Sequence, residues 1–149
     1  MQEIQIFTDG GCSGNPGPGG WGYVIIVDGQ EKPVSGGNPD TTNNRMEMTA
    51  VISALKDVRS WEAWAGRPLA IYTDSQYVKN GITQWIHGWI RNGWMTASKK
   101  PVKNQELWKE LHALVQGLPL EWHWVKGHAG NKYNEMCDAL VKQEMSKFL

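Results

Sequence analysis

Residues 4–27 read IQIFTDGGCSGNPGPGGWGYVIIV, and the fold turns on them. The β-branched and aromatic residues of Ile4–Thr8 predict a strand that ends at Asp9. The glycine-rich GGCSGNPGPGG that follows reads as a loop, and Trp21–Val27 as a second strand. No Gly-Lys-Ser/Thr closes the glycine run, so it is not a nucleotide-binding P-loop. Asp28-Gly29 between apolar runs is a two-residue hairpin signal and places a third strand near Lys32–Gly36. Farther along, periodicity predicts a helix over Arg45–Arg59, a strand over Leu69–Thr73 and short helices from Ser75 onward. A helix over Asn104–Val115, a strand over Leu120–Val125 and a closing helix over Lys132–Phe148 complete the chain. The order βββαβααβα describes an α/β protein with a mixed sheet.

A chain of 149 residues suits one compact domain. Its 40% hydrophobic content is that of a globular rather than a disordered protein. No apolar run approaches the roughly 18 residues of a membrane helix, and MQEIQIF has neither the basic nor the apolar region of a secretion signal. Cys12 and Cys137 make a poor disulfide framework, and the four histidines have no zinc-ligand spacing, so a cytoplasmic protein with reduced thiols is expected. Fifteen basic residues balance fifteen acidic ones, which at first argues against a nucleic-acid partner. The charges are segregated, however. Ser75–Lys103 holds Lys79, Arg91, Lys99, Lys100 and Lys103 with no acid, so this stretch is +5 and the rest of the chain sums to −5. The same stretch contains Trp85, Trp89 and Trp94; the last two are expected in packing.

Asp9 and Asp74 both end predicted strands. If those strands are parallel neighbours joined by a right-handed crossover, both carboxylates emerge where open α/β sheets place their ligands. Glu47 stands on the stripe Glu47–Val51–Ala54–Val58, an acid on a face otherwise turned to the core. Asp138 lies in the first half of the last helix. Each acid also has a local reading. Asp9 can open a turn, Asp74 can N-cap the SQYV helix, Glu47 can complete a capping box with Asn44, and Asp138 can pair with Lys142. Gathered together, the acids repel unless a cation sits among them, and an all-oxygen set suits Mg²⁺ or Mn²⁺ rather than zinc.

Six strings, IFTDGGCSGNPGPGGWG, TTNNRMEMTA, TDSQYV, ITQWIHGW, KKPVKN and WVKGHAGNKYNEMCDAL, run in order from Ile6 to Leu140. Together they resemble bacterial type 1 ribonuclease H. The resemblance implies a ribonuclease H-like fold, a five-stranded mixed sheet flanked by helices. It also implies one catalytic domain over residues 1–149, with a basic protrusion at about residues 81–103 and no separate N-terminal hybrid-binding domain. The implied activity is two-metal-ion hydrolysis of the RNA strand of RNA–DNA hybrids, leaving 5′-phosphate and 3′-hydroxyl ends. By position, Asp9, Glu47, Asp74 and Asp138 match the family's metal-binding carboxylates, for two Mg²⁺ ions with Mn²⁺ as substitute. His128, in KGHAG, matches a proton shuttle or product-release aid.

On the substrate side, Asn15, Asn43, Asn44 and Gln76 match residues that touch the hybrid, mainly its RNA strand. The small backbone of Gly11–Gly14, with Cys12, is expected to approach nucleic acid closely. Thr42 and Asn104 match a pocket for a DNA-strand phosphate, Trp85 an aromatic of the DNA channel, and Lys99 and Lys100 the basic protrusion. Ile90, Asn92 and Met95 stand where many relatives carry basic residues, which predicts a weaker grip on the hybrid and a shallower salt dependence. A monomer without membrane contact is expected. The alternatives are a non-catalytic hybrid-binding module and another nuclease of the same superfamily. Carboxylates repel phosphate, so the intact acid set argues against the module.

Overall fold

The computed structural model describes residues 2–64, 66–125 and 131–149. Strands β1 (Ile4–Cys12), β2 (Gly17–Val27) and β3 (Gln30–Thr41) form an antiparallel meander. Strand β4 (Leu69–Thr73) pairs in parallel with the other side of β1, and β5 (Leu120–Trp124) in parallel with β4, giving the order β3-β2-β1-β4-β5. The helices are α1 (Asn43–Arg59), α2 (Gln76–Asn80), α3 (Ile86–Arg91), α4 (Gln105–Val115) and α5 (Lys132–Ser146). A π-helical turn, Gly81–Trp85, joins α2 to α3, and Glu62–Trp64 forms a single 3₁₀ turn. The mixed five-stranded sheet is therefore the expected one. Among the described residues no helix is long and apolar enough to cross a membrane.

The Asp28-Gly29 hairpin forms as read, with φ of 52° and 80° at its two residues, the mirror-image turn that matches strand twist. The glycine run is a different matter. Gly10–Cys12 extend β1 and Gly17–Gly20 open β2, with Gly11 opposite Gly20 and Cys12 opposite Gly19, so only residues 13–16 turn the chain. Ladder pairing overrides the local preference of glycine for loops because both faces of this hairpin carry a helix.

On one face Ile4, Ile6, Ile25, Leu69 and Ile71 pack against Val51, Leu55 and Val58 of α1 and against Trp108 and Leu111 of α4. On the other, Phe7 and Val24 meet Cys137 and Leu140 of α5. The glycines allow both helices to come close. A Cβ on Gly10 would lie 2.3 Å from the Met46 carbonyl carbon and 2.4 Å from the Glu47 nitrogen, so the first turn of α1 rests backbone to backbone on β1. On the opposite face a Cβ on Gly20 would lie 2.6 Å from the Val141 oxygen of α5. Gly10→Ala should therefore destabilise the protein by on the order of 3 kcal/mol through overpacking. Urea denaturation measures the change.

Candidate active site

The parallel register of β1 and β4 runs from Ile4↔Leu69 to Phe7↔Tyr72. Carried two residues further, it sets Asp9 beside Asp74 at the carboxyl end of both strands, as the crossover argument requires. Asp9 stands opposite Gly22 in the β1–β2 ladder, and a Cβ on Gly22 would lie 2.9 Å from the Leu140 Cβ of α5. Residues opposite one another share a face, so Asp9 points to the α5 side, where Asp138 lies. Glu47 reaches the same rim from the other face, through the contact of α1 with Gly10.

Two of the local readings change. Thr42, not Asn44, caps α1, accepting from the Arg45 N–H at 3.3 Å. Ser75, not Asp74, caps α2, accepting from the Val78 N–H at 3.1 Å. Asp74 is thereby left free of capping duty at the rim. The Lys142 pairing does form, with Nζ 2.9 Å from Asp138 Oδ2.

The acids feel one another. Burial raises the Glu47 carboxyl above its ordinary value of 4.5; hydrogen bonds from Ser75 and Asn43 oppose this, and the Asp74 charge reinforces it. The Asn43 amide donates to Glu47 Oε1 at 2.7 Å. Cys137, whose thiol donates to the Phe7 carbonyl at 3.3 Å, is pushed up to about 12, first by burial and then by the charges of Asp9 and Asp74. Asp138, and more weakly Asp9, raise the Lys142 ammonium. Four carboxylates thus share one electrostatic field. The donor set fits a hard divalent cation, since its atoms are all oxygen and the neighbouring thiol stays protonated. Among the described residues, no three acid, imidazole or thiol side chains stand close enough together to hold a metal ion as they are; the acids are linked through the sheet end and their shared field. His128 lies outside the described residues.

Around this rim, Asn15 Oδ1 accepts from the Asn43 N–H at 2.9 Å, tying the hairpin tip to the start of α1. The Cys12 thiol lies 3.3 Å from the Thr41 carbonyl and 3.4 Å from that of Gly17, which pins the end of β1 to the end of β3. Within Gly11–Gly14, a Cβ on Gly11 would lie 3.2 Å from Val141 Cγ1, whereas one on Gly14, at φ 72°, would have only the Pro16 oxygen within 4 Å. Gln76 is exposed and Asn44 half-buried at the helix starts. Trp89 and Trp94 pack on the main core, whereas Trp85 is 40% exposed and lies edge-on to Tyr77. Lys99 and Lys100 are exposed on a loop closed by the Met95↔Pro101 bridge and by the Thr96 N–H donating to the Lys100 carbonyl at 2.7 Å.

Two residues of this region escape the sequence reading. Ser75 orients Glu47, and its signal was a serine directly before a helix, a capping residue as good as aspartate. Arg45 joins the Thr42 turn to Asn104, with Nη1 3.1 Å from Asn104 Oδ1, and only the fold brings those segments together.

A family model for RNase H matches residues 1–146. This chain belongs to the ribonuclease H family. It is 56% identical to a ribonuclease H of Bradyrhizobium sp. (strain ORS 278) over 95% of this chain and 89% of that one. It is 54% identical to that of Ehrlichia canis (strain Jake) over 99% and 97% of the two chains. Among solved structures it is similar to LC9-RNase H1, a type 1 ribonuclease H with the type 2 active-site motif, at 32% identity and a TM-score of 0.83. That likeness covers 99% of this chain and 74% of LC9-RNase H1. LC11-RNase H1, solved in complex with an RNA/DNA hybrid, shares the fold at 24% identity and a TM-score of 0.73, over 97% of each chain. Membership of this bacterial family of endoribonucleases removes the non-catalytic module from consideration.

The raised Glu47 carboxyl makes a prediction about this ribonuclease H. A carboxyl raised in the folded state opposes folding once ionised, so that penalty is in force at neutral pH and vanishes as pH falls through the raised value toward 4.5. Glu47→Gln should therefore stabilise the protein in EDTA at pH 7, and the gain should disappear below pH about 4. Urea melts across that range supply the comparison.

Proposed function

We propose that this ribonuclease H cuts the RNA strand of RNA–DNA hybrids at the rim of Asp9, Glu47, Asp74 and Asp138, leaving 5′-phosphate and 3′-hydroxyl ends. The observation that carries the reading is the shared field of these acids, felt at Glu47, Cys137 and Lys142, in a chain that also bears a basic, tryptophan-rich segment. Family membership and the hybrid bound by LC11-RNase H1 support the choice of substrate.

Asp9, Glu47, Asp74 and Asp138 would hold two Mg²⁺ ions, or Mn²⁺ in their place, which when bound supply an activated water and charge stabilisation for the departing 3′ oxygen. The chain's own part is preorganisation. Ser75 and Asn43 aim the Glu47 carboxylate, Lys142 steadies Asp138, and the protonated Cys137 thiol braces α5 against β1. His128 serves as proton shuttle or product-release aid, a task for which the imidazole side chain is suited in general. Asn15, Asn43, Asn44 and Gln76 present amides, donor and acceptor together, to the RNA strand and its 2′-hydroxyls. Thr42 and Asn104 take a phosphate of the DNA strand, with Arg45 between them adding charge. Trp85 offers its exposed ring to the DNA strand, and Lys99 and Lys100 attract the backbone. Residues 1–149 act as one domain with the protrusion at about 81–103, working as a monomer in the cytoplasm.

With labelled RNA–DNA hybrid, RNA duplex and DNA duplex, cleavage should be confined to the RNA strand of the hybrid, require Mg²⁺ or Mn²⁺ and stop in EDTA. Binding of the hybrid without cleavage by the pure wild-type protein would sink the proposal. Asp9→Asn should lower kcat by at least about a thousandfold while leaving hybrid affinity in EDTA within about twofold. Equal activity would remove Asp9 from the metal site. His128→Ala should slow turnover by about ten- to a hundredfold without abolishing it, whereas complete loss would mark His128 as a ligand instead.

A further inference from the structure

Asn104 stands at the N-terminus of α4 without capping it. Its backbone is left-handed, with φ 60°, and its side chain makes no bond to the first turn of the helix. The amide is engaged elsewhere, with Nδ2 donating to the Tyr77 hydroxyl at 3.1 Å and Oδ1 accepting from Arg45 Nη1 at 3.1 Å. A guanidinium only donates, so the orientation of the amide is forced and a second Nδ2 hydrogen is left to donate. The Tyr77 hydroxyl also accepts, at 3.1 Å, from Nε1 of the fully buried Trp108. Both of its lone pairs are then occupied, and its own proton is left to donate. The cluster is a set of anchored donors with one anion already in it. Arg45 Nη1 lies 2.6 Å from Glu106 Oε1, and the Glu106 side chain is 64% exposed. The Arg45 hydrogen bond holds the Glu106 carboxyl below the usual range, so it is ionised at neutral pH.

The geometry points to Glu106 as an internal anion that occupies the Arg45 side of the DNA-phosphate subsite and thereby sets how tightly the hybrid is held. The inference rests on the reading of Thr42 and Asn104 as that subsite. A carboxylate and a phosphate compete for the same guanidinium donors. An exposed ion pair is weak, so an incoming phosphate displaces Glu106, and the carboxylate returns as the phosphate leaves. Arg45 keeps its place meanwhile, because Asn104 holds it, Tyr77 holds Asn104 and Trp108 holds Tyr77. The masked charge adds to the low basicity of the protrusion, where Ile90, Asn92 and Met95 interrupt the lysines. Both features moderate the grip on the hybrid and favour release of cut product.

The test is equilibrium binding of a fluorescein-labelled RNA–DNA hybrid in EDTA, across a salt series. E106Q should bind about fivefold more tightly at low salt, with a log–log salt slope steeper by about one, because one more cation faces phosphate. E106A should do the same, which guards against an effect peculiar to the amide. The double variant R45A/E106Q should lose the gain and bind more weakly than wild type. If E106Q and E106A bind no more tightly than wild type while Thr42→Ala and Asn104→Ala weaken binding, the role of Glu106 is wrong and the subsite stands. If Thr42→Ala and Asn104→Ala bind as wild type does, the subsite reading fails and the role of Glu106 falls with it.

Discussion

Most of this structure depends on a missing side chain at residue 10. The first turn of α1 lies directly on β1, with the Met46 carbonyl carbon and the Glu47 nitrogen where any Cβ on residue 10 would be. That contact fixes the height and angle at which α1 leaves the sheet, and Glu47 is part of it. On the reverse face α5 settles on Gly20 in the same manner, and Asp9 points to that same side of the sheet. The rim of acids is therefore a consequence of close helix–sheet packing, since each helix carries its carboxylate to the strand ends only at this short distance.

Electrostatics divides the molecule into two working regions. Equal numbers of acids and bases conceal a basic segment from Ser75 to Lys103 and an excess of acid elsewhere. The acid rim holds its charge against burial through hydrogen bonds from Ser75 and Asn43 to Glu47 and through the Lys142 contact to Asp138. Such a site gains from a divalent cation what the protein alone does not supply. At the start of α4, Arg45 is balanced by Glu106, whose Oε1 lies 2.6 Å from its Nη1. Net charge taken alone is a poor guide to a protein whose acids and bases are segregated in this way.

The order of strands and helices was legible because each rests on local physics. Alternation marked β1, a two-residue turn with positive φ at both positions joined β2 to β3, and helical periodicity marked α1, α4 and α5. The glycine run misled, since glycine's local preference is for loops while here it serves close packing on both faces of a hairpin. The capping residues misled for a related reason. Thr42 and Asn44 are both plausible caps by type, as are Ser75 and Asp74, and only the angle of entry against the sheet selects between them. The tryptophans were separable in part: Trp89 and Trp94 pack inward, whereas Trp85, at the end of the π-helical turn, stays exposed.

By itself the sequence determined the element order, the pairing of β2 with β3 and the acids and amides available for chemistry, since these follow from periodicity, turn geometry and residue type. Its six motifs also carried the family resemblance, which named the four carboxylates by position. Only the tertiary structure decided that Asp9 stands beside Asp74, that Ser75 and Asn43 aim Glu47, and that Arg45 joins Asn104 while facing Glu106. Those relations link residues as far apart in sequence as Asp9 and Asp74, with Arg45 and Glu106 61 positions apart, through tertiary contacts whose distances no local pattern encodes.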